Sequence, residues 1–349
     1  MNAATPPNPA PNPGTDTAPD TASAPGTNTA PDTAPVVVAV VVTYNRVALL
    51  AEALAALRAQ TRAPDRVVVV DNASGDGTPA MVRAEFPEAE LLELAANTGG
   101  AGGFAAGIAH ALRPDAPGGA VDQLWLLDDD TVPEPGALAA LLTARRSGGD
   151  GRKGGDGPPV LVASRVVWTD GRDHPMNTPR EKPRAAASER AAARAVNGYP
   201  IRSASFVSVL VDAGRVRERG LPVADYFLWN DDFEFTTRIL RGRRGLLCRD
   251  SVVVHKTATF GSTDADPGER FYFEVRNKIW LFTRSRGLSP AERALYGAST
   301  LRRWGRTFAG SRDRATLRRC LARGLADGVR SRPRPTAEIL RDLGVRPGV

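Results

Sequence analysis

The chain has 349 residues, with 46 Lys and Arg against 39 Asp and Glu, for a formal charge of +7. That length allows one large or two ordinary domains, and the charge suits an anionic partner without identifying it. Two cysteines, Cys248 and Cys320, exclude a disulfide framework and favour a reducing, cytosolic setting. No apolar run is long enough to span a bilayer, and residues 1–30 lack the basic region and apolar core of a signal peptide, so a soluble or peripheral protein is expected.

Residues 1–34 are Pro, Ala, Thr, Asn and Asp with almost no large apolar side chain. Such a segment cannot bury enough surface to offset its ordering entropy, and disorder is expected there. Residues 36–42, a Val-rich run, read as a buried strand, and Leu50, Ala53, Leu54 and Leu57 then recur at helical spacing. Residues 66–70 form a second strand ending at Asp71, 78–86 a helix, 90–94 a weaker strand, and 97–103 a Gly-rich loop feeding a helix over 104–112. The apolar run 124–127 is a strand, and 135–146 a helix. This alternation argues an α/β fold with a parallel, helix-covered sheet, in which ligands sit beyond the carboxyl ends of the strands. Residues 147–158 read as an exposed Gly-rich loop. Beyond them, 160–168, 201–211 and 246–256 are strand-like, 176–195 is a mobile loop or a marginal helix, and 235–241 and 270–284 are helical. Past Ser289, arginines such as Arg302, Arg303 and Arg306 stand beside Leu301, Trp304 and Phe308. A basic amphipathic helix of this kind can lie on an anionic membrane; a solvated helical cover on the core is the plainer account.

The chemistry centres on Asp128, Asp129 and Asp130 at the end of the 124–127 strand. Adjacent carboxylates repel, and burial beside like charge raises their pKa values; a cation removes that penalty. Alternate strand residues point the same way, so Asp128 and Asp130 converge while Asp129 turns aside. Hard oxygen ligands suit Mg²⁺ or Mn²⁺. A polar loop or helix cap before Pro133 explains the triplet alone equally well. Of three histidines, His110 falls inside a helix and reads as structural, while His174 lies in a loop where substrate contact is the minority reading. His255 ends a strand and is placed as a third metal ligand. Asp231 and Asp232 open a helix after the aromatic stretch 226–229. They complement a helix dipole, or one of them is a general base with Glu234 orienting a neighbour or an acceptor hydroxyl. The run Gly100-Ala-Gly-Gly-Phe-Ala105 formally fits a dinucleotide-binding pattern, but it follows the third strand rather than the first. No nucleic-acid-binding module is recognisable.

Five motifs in order, Val-Val-Val-Thr-Tyr-Asn-Arg (40–46), Val-Val-Asp-Asn-Ala-Ser (69–74), Asn-Thr-Gly-Gly-Ala-Gly-Gly-Phe (97–104), Trp-Leu-Leu-Asp-Asp-Asp (125–130) and Trp-Asn-Asp-Asp-Phe-Glu (229–234), resemble family 2 glycosyltransferases of the GT-A fold. Within that family the chain most resembles actinobacterial galactofuranosyltransferases and related rhamnosyltransferases of cell-wall assembly, over roughly residues 36–285. The resemblance implies a metal-dependent inverting transfer from a nucleotide-diphosphate sugar, such as a UDP- or dTDP-sugar. On that reading Thr43, Tyr44, Arg46, Asp71, Asn97 and Gly100, with Asp128 and Asp129, hold the donor. Asp128, Asp130 and His255 hold Mn²⁺ or Mg²⁺, and Asp232 is the base, with Asp231 and Glu234 beside it. A glycan acceptor, lipid-linked at the cytoplasmic membrane face, is implied, and no nucleic acid. The expected organisation is a nucleotide-binding half over 35–146, an acceptor half over 147–285 and a basic helical region over 286–349. The rival expectations are a nicotinamide-dependent oxidoreductase using the glycine run, and a non-catalytic sugar-nucleotide-binding protein.

Overall fold

The computed structural model describes residues 1–5, 34–147, 157–260 and 266–346. The expectation of disorder over 1–34 and the Gly-rich loop at 147–158 fall mostly outside the described residues. Residues 1–5 hold no regular element, and Pro35–Val349 forms a unit of its own.

That unit is built on one sheet. β1 (Val37–Thr43), β2 (Arg66–Asp71), β3 (Glu90–Glu93) and β4 (Gln123–Asp128) alternate with α1 (Val47–Arg58), α2 (Thr78–Glu85) and α3 (Gly99–Ala111). They pair in parallel in the order β3-β2-β1-β4. Every residue of β1 is buried, and its alternation feeds two cores. Val38, Val40 and Val42 face the α3 side with Phe104 and Ile108. Val37, Ala39 and Val41 face the other side with Leu50, Leu54 and Leu138. An unbroken Val run is what a strand covered on both faces requires.

The chain continues through β5 (Thr131–Pro133), α4 (Ala137–Ser147), β6 (Leu161–Val167), β7 (Arg180–Glu181), α5 (Ala187–Arg194), β8 (Gly198–Ser203), β9 (Ser208–Asp212), α6 (Ala213–Arg219), α7 (Asp231–Ile239) and β10 (Gly245–His255). Beyond β4 the order is β9-β6-β10-β8-β7. β9 runs antiparallel to both β4 and β6, whereas β6 and β10 are parallel. Four further helices follow: α8 (Phe271–Thr283), α9 (Pro290–Gly310), α10 (Arg314–Arg330) and α11 (Thr336–Asp342). α10 buries Leu317 and Cys320 against Phe271 and Val275 of α8, and α11 buries Leu340 in the core that α3 shares. No described helix is long and apolar enough to cross a membrane.

Two expectations are corrected. The single strand expected over 201–211 is two, β8 and β9, separated by residues 204–207. Ala204, Phe206 and Val207 in that break are buried, so hydrophobicity runs through it and hides it. The glycine run expected as a loop is the first turns of α3. Cβ atoms at Gly103 and Gly107 would fall 2.5 Å from Val42 Cγ1 and 2.5 Å from Val40 Cγ1, so these glycines let the helix lie directly on the sheet. Gly107→Val is therefore expected to cost at least the ~1–3 kcal/mol of core overpacking, read as a lowered melting midpoint.

Candidate active site

β2 and β4 flank β1 on opposite sides while all three strands stay parallel, so the connections leave in opposite directions and open a crevice at the carboxyl ends of β1 and β4. Val42 lies opposite Asp128 in this pairing, so Thr43 and the aspartates emerge side by side. Asp129 turns toward the β1–α1 loop. Its carboxylate accepts from Thr43 Oγ1 at 2.9 Å, from the Tyr44 amide at 3.3 Å and from Arg46 Nη1 at 3.1 Å. The middle aspartate is thus a clamp that fixes Arg46, and Arg46 reaches on to Asp130 Oδ2 at 2.7 Å.

β5 brings His255 in. It pairs antiparallel with the end of β10, setting His255 opposite Thr131, and the Lys256 amide donates to the Asp130 carbonyl at 2.8 Å. His255 Nε2 then lies 3.0 Å from Asp130 Oδ1. On the far side of the ring, Nδ1 lies 2.9 Å from Asn177 Oδ1, and the Asn177 amide nitrogen donates to Ser205 Oγ at 3.1 Å. An amide oxygen can only accept, so Nδ1 carries a proton, and the ring when neutral turns a lone pair toward Asp130. Asp130 Oδ1 is buried without a hydrogen-bond donor. Two acceptors 3.0 Å apart are compatible only through a shared proton or a shared cation. Ligand atoms of Asp128, Asp130 and His255 all lie within 4.8 Å of one another, so this set fits a divalent ion.

Without a cation, the electrostatics favour the shared proton. Burial, then the Asp130 charge, pushes Asp128 up to about 7. Burial would pull the His255 pKa down, but its bond to Asp130 and the charges of Asp130 and Asp128 hold it above the ordinary imidazole range. His174 is fully buried behind it, the two rings 5.0 Å apart, with Nε2 on Thr257 Oγ1 at 3.1 Å. It is a wall of the site and does not reach the crevice.

The second acidic pair is delivered by a strained loop. Phe227, Trp229 and Asn230 have φ of 61°, 66° and 66°, a region costly for aromatic residues. Asn277 of α8 holds this loop, its amide within 2.9 Å of the carbonyls of Tyr226, Leu228 and Trp229, and Arg276 donates to the Asp225 carbonyl at 2.7 Å. α7 starts immediately after. Asp231 is buried, and that burial, then Asp232, raises its pKa well above the carboxylate range; it also feels Asp128. Asp232 lines a cavity of about 210 Å³ with Asn177, Trp229 and Lys278. Its pKa is raised by burial against the opposing pull of the Phe233 amide, which donates to it at 2.6 Å, and of Lys278.

The family model Glycosyl transferase family 2 matches residues 38–151. The galactofuranosyltransferase GlfT1 of Mycobacterium tuberculosis is 30% identical over 267 residues, covering 71% of this chain and 82% of that one. This chain is a family 2 glycosyltransferase. GlfT1 of Mycolicibacterium smegmatis is 42% identical over 109 residues, 31% of this chain and 34% of that one. Among solved structures, Staphylococcus aureus TarS 1–349 in complex with UDP-GlcNAc superposes with a TM-score of 0.52 at 17% identity, covering 84% of this chain and 80% of that one. The mannosyltransferase PcManGT from Pyrobaculum calidifontis, in complex with GDP-Man and Mn²⁺, gives 0.50 at 21% identity, covering 89% and 80%. The fold of the glycosyltransferase is therefore GT-A.

Other residues singled out from the sequence fall on two sides of the site. Asp71, at the end of β2, is buried. One of its oxygens accepts from the Ser74 amide at 3.1 Å, and the other has no partner in the structure. Tyr44 is exposed, Asn97 caps the Gly99 amide at 2.8 Å, and Gly100 has open space where a side chain would stand. Gly99, at φ 68°, is held to glycine by the Phe227 carbonyl, 1.9 Å from where a Cβ would be. Glu234 faces away from the cavity. Two residues along a helix from Asp232, it points to the opposite side, where Arg238 holds it at 2.9 Å and Ser285 Oγ at 2.8 Å. His110 sits between Glu90 and Arg113, each at 3.0 Å, far along α3 as a structural residue. The sequence reading missed Asn177, Lys278 and the partners of Asn277. The only signal was a polar residue placed in each of two otherwise unremarkable segments.

Proposed function

We propose that this glycosyltransferase moves a sugar from a nucleotide-diphosphate sugar to an acceptor hydroxyl with inversion, using a divalent cation. The observation that carries this reading is the buried, donorless Asp130 Oδ1 facing His255 Nε2 beside Asp128, with Asp232 in the adjoining cavity. The relatives support a nucleotide-sugar donor: TarS is seen with UDP-GlcNAc, and PcManGT with GDP-Man and Mn²⁺. Asp128, Asp130 and His255 would hold Mn²⁺ or Mg²⁺, which when bound offsets the charge of the leaving diphosphate. Asp71, with its free buried oxygen, and Asn97, Gly100, Thr43 and Tyr44 border the donor's nucleoside, and Arg46 is held toward the same crevice by Asp129.

The chain's own residues then act as follows. Asp231, whose pKa lies well above the carboxylate range, keeps the proton of the acidic pair, and Asp232 serves as the ionised partner. The Asp232 oxygen not engaged by the Phe233 amide takes the proton of the acceptor hydroxyl. The hydroxyl oxygen bonds to the anomeric carbon from the face opposite the leaving group, the carbon–oxygen bond to the diphosphate breaks, and the configuration inverts. Glu234 accepts from Ser285 Oγ, and its helix partner Arg238 donates to the carbonyls of Gly220 and Leu221; these contacts anchor α7 and so position Asp232.

Asn177→Leu removes the acceptor that sets the His255 tautomer. It is expected to weaken Mn²⁺ affinity about 10–100-fold, as losses around metal ligands commonly do, measured by titrating Mn²⁺ against its electron spin resonance signal. The overall reading is tested by incubating the chain with UDP- and dTDP-sugars and Mn²⁺. Release of the nucleoside diphosphate that stops with EDTA and returns with Mn²⁺ is expected; metal-independent release would overturn the metal assignment. The acceptor is read as a glycan, lipid-linked, at the cytoplasmic membrane face. α9 supports this, exposing Leu295 and Leu301, 56% and 66% accessible, beside exposed Arg302 and Arg306.

A further inference from the structure

The cavity beside Asp232 is lined by three cations from three distant segments: Arg180 of β7, Lys278 of α8 and Arg303 of α9. A narrower cavity of about 30 Å³ opens on the same three, bounded by Phe233, Tyr296 and Thr300. Arg303 is paired with Glu274, and that carboxylate also accepts from Asn230 Nδ2 at 2.7 Å and Trp304 Nε1 at 3.2 Å. Lys278 is different. Its side chain is 7% exposed, and Nζ makes no hydrogen bond or ion pair with a described residue, lying 4.9 Å from the Phe233 ring centroid and 6.0 Å from that of Phe282. The Arg180 guanidinium lies 5.6 Å from the Phe233 ring centroid, near enough for its charge to act on Asp232 and Lys278.

A ring returns less to an ammonium than stripping its water costs. The burial pulls Lys278 down to about 8, although Glu274 and Asp232 oppose it. The fold keeps this cost at one position, facing a cavity. A buried point charge with two guanidinium forks around it matches a tetrahedral oxyanion with several oxygens to share. Asp128, Asp130 and His255 do not line this cavity, so the donor's diphosphate has a different seat. Asp232 shares the cavity with the cations, so an anion held there belongs to the molecule whose hydroxyl Asp232 faces.

We propose that Arg180, Lys278 and Arg303 form a phosphate subsite for the acceptor, holding a phosphate or diphosphate ester beside the hydroxyl to be glycosylated. This rests on the assignment of the Asp232 cavity to the acceptor. The test uses the full chain in EDTA, which removes divalent ions from the donor site. Calorimetry with octyl diphosphate and with inorganic pyrophosphate compares the wild type with Lys278→Met and Arg180→Met. Both probes are expected to bind the wild type and to lose about 10-fold or more in affinity in each variant, as loss of a charge-assisted hydrogen bond does. Tighter binding of octyl diphosphate identifies a lipid-linked ester; equal binding identifies a soluble phosphate-bearing glycan. No binding of either probe, or affinities unchanged in both variants, overturns the subsite. Arg180 is exposed, so its variant keeps the test sharp if Lys278→Met does not fold. Donor hydrolysis by the wild type with Mn²⁺ is read separately. Hydrolysis without probe binding sinks the subsite alone, and probe binding without hydrolysis of any donor sinks the proposed reaction alone.

Discussion

Asp232→Asn is expected to lower kcat by ~10²–10⁴, the range a positioned general base supplies, while the affinity for a nucleotide sugar with Mn²⁺ stays within about twofold. Asn keeps the shape and can still accept the Phe233 amide, so α7 should start where it does now. What is lost is a group able to take a proton. The pH profile adds an independent readout. The Asp232 pKa is raised, chiefly by burial, so the carboxylate protonates at a higher pH than a free aspartate does. Activity should therefore be present on the alkaline side of that raised value and fall as pH drops through it. The acid limb should vanish from the residual activity of the Asn variant. Full kcat in Asp232→Asn, or an unchanged acid limb, would remove Asp232 from the base role. On the alkaline side, Lys278, at about 8 in the structure, loses its charge as pH rises past that value. The affinity for a phosphate-bearing acceptor should then decline above about pH 8, while donor hydrolysis does not follow.

The second large effect is at Asp130. Asp130→Ala deletes the donorless oxygen opposite His255 and one of the two carboxylates that hold Arg46. Calorimetric affinity for the donor nucleotide in the presence of Mn²⁺ is expected to drop about 100-fold or more, toward the value measured in EDTA. In the variant, Mn²⁺ should therefore make little difference. Melting without metal should fall only modestly, because the deletion removes the pairings with His255 and Arg46 that hold the Asp130 pKa down while relieving the repulsion that helps to raise Asp128. Unchanged Mn²⁺-dependent affinity would show that the cation binds elsewhere.

These residues differ in how much of their role could be read along the chain. Asp128 and Asp130 were legible because a four-residue apolar run dictates a buried strand, and a strand that ends in three carboxylates presents two of them together. Asp231 and Asp232 were legible as an acidic helix start after an aromatic run. Glu234 was grouped with them by nearness in sequence, and helical geometry separates it: a step of two turns the side chain to the far face, onto Arg238 and Ser285. Asp129 was assigned to the donor, and its hydrogen bonds to Thr43, Tyr44 and Arg46 give it the task of holding the neighbouring loop. The glycines over 97–103 carry a local preference for loops, yet they begin a helix; Gly103 and, a turn further on, Gly107 let α3 lie this close to Val42 and Val40.

Local pattern alone was enough for the Val-rich strands, the alternation with helices and the acidic strand end, since each depends on residues within one element. Which groups meet at the site depends on pairings between residues far apart in the chain, in one case more than a hundred positions. His255 reaches Asp130 because β5 pairs with β10, Asn177 reaches His255 from a loop between β6 and β7, and Lys278 comes beside Asp232 because α7, α8 and α9 meet around one cavity. Burial and long-range register decide which charges are exposed, paired or left facing a cavity, and neither quantity is a property of a short stretch of chain.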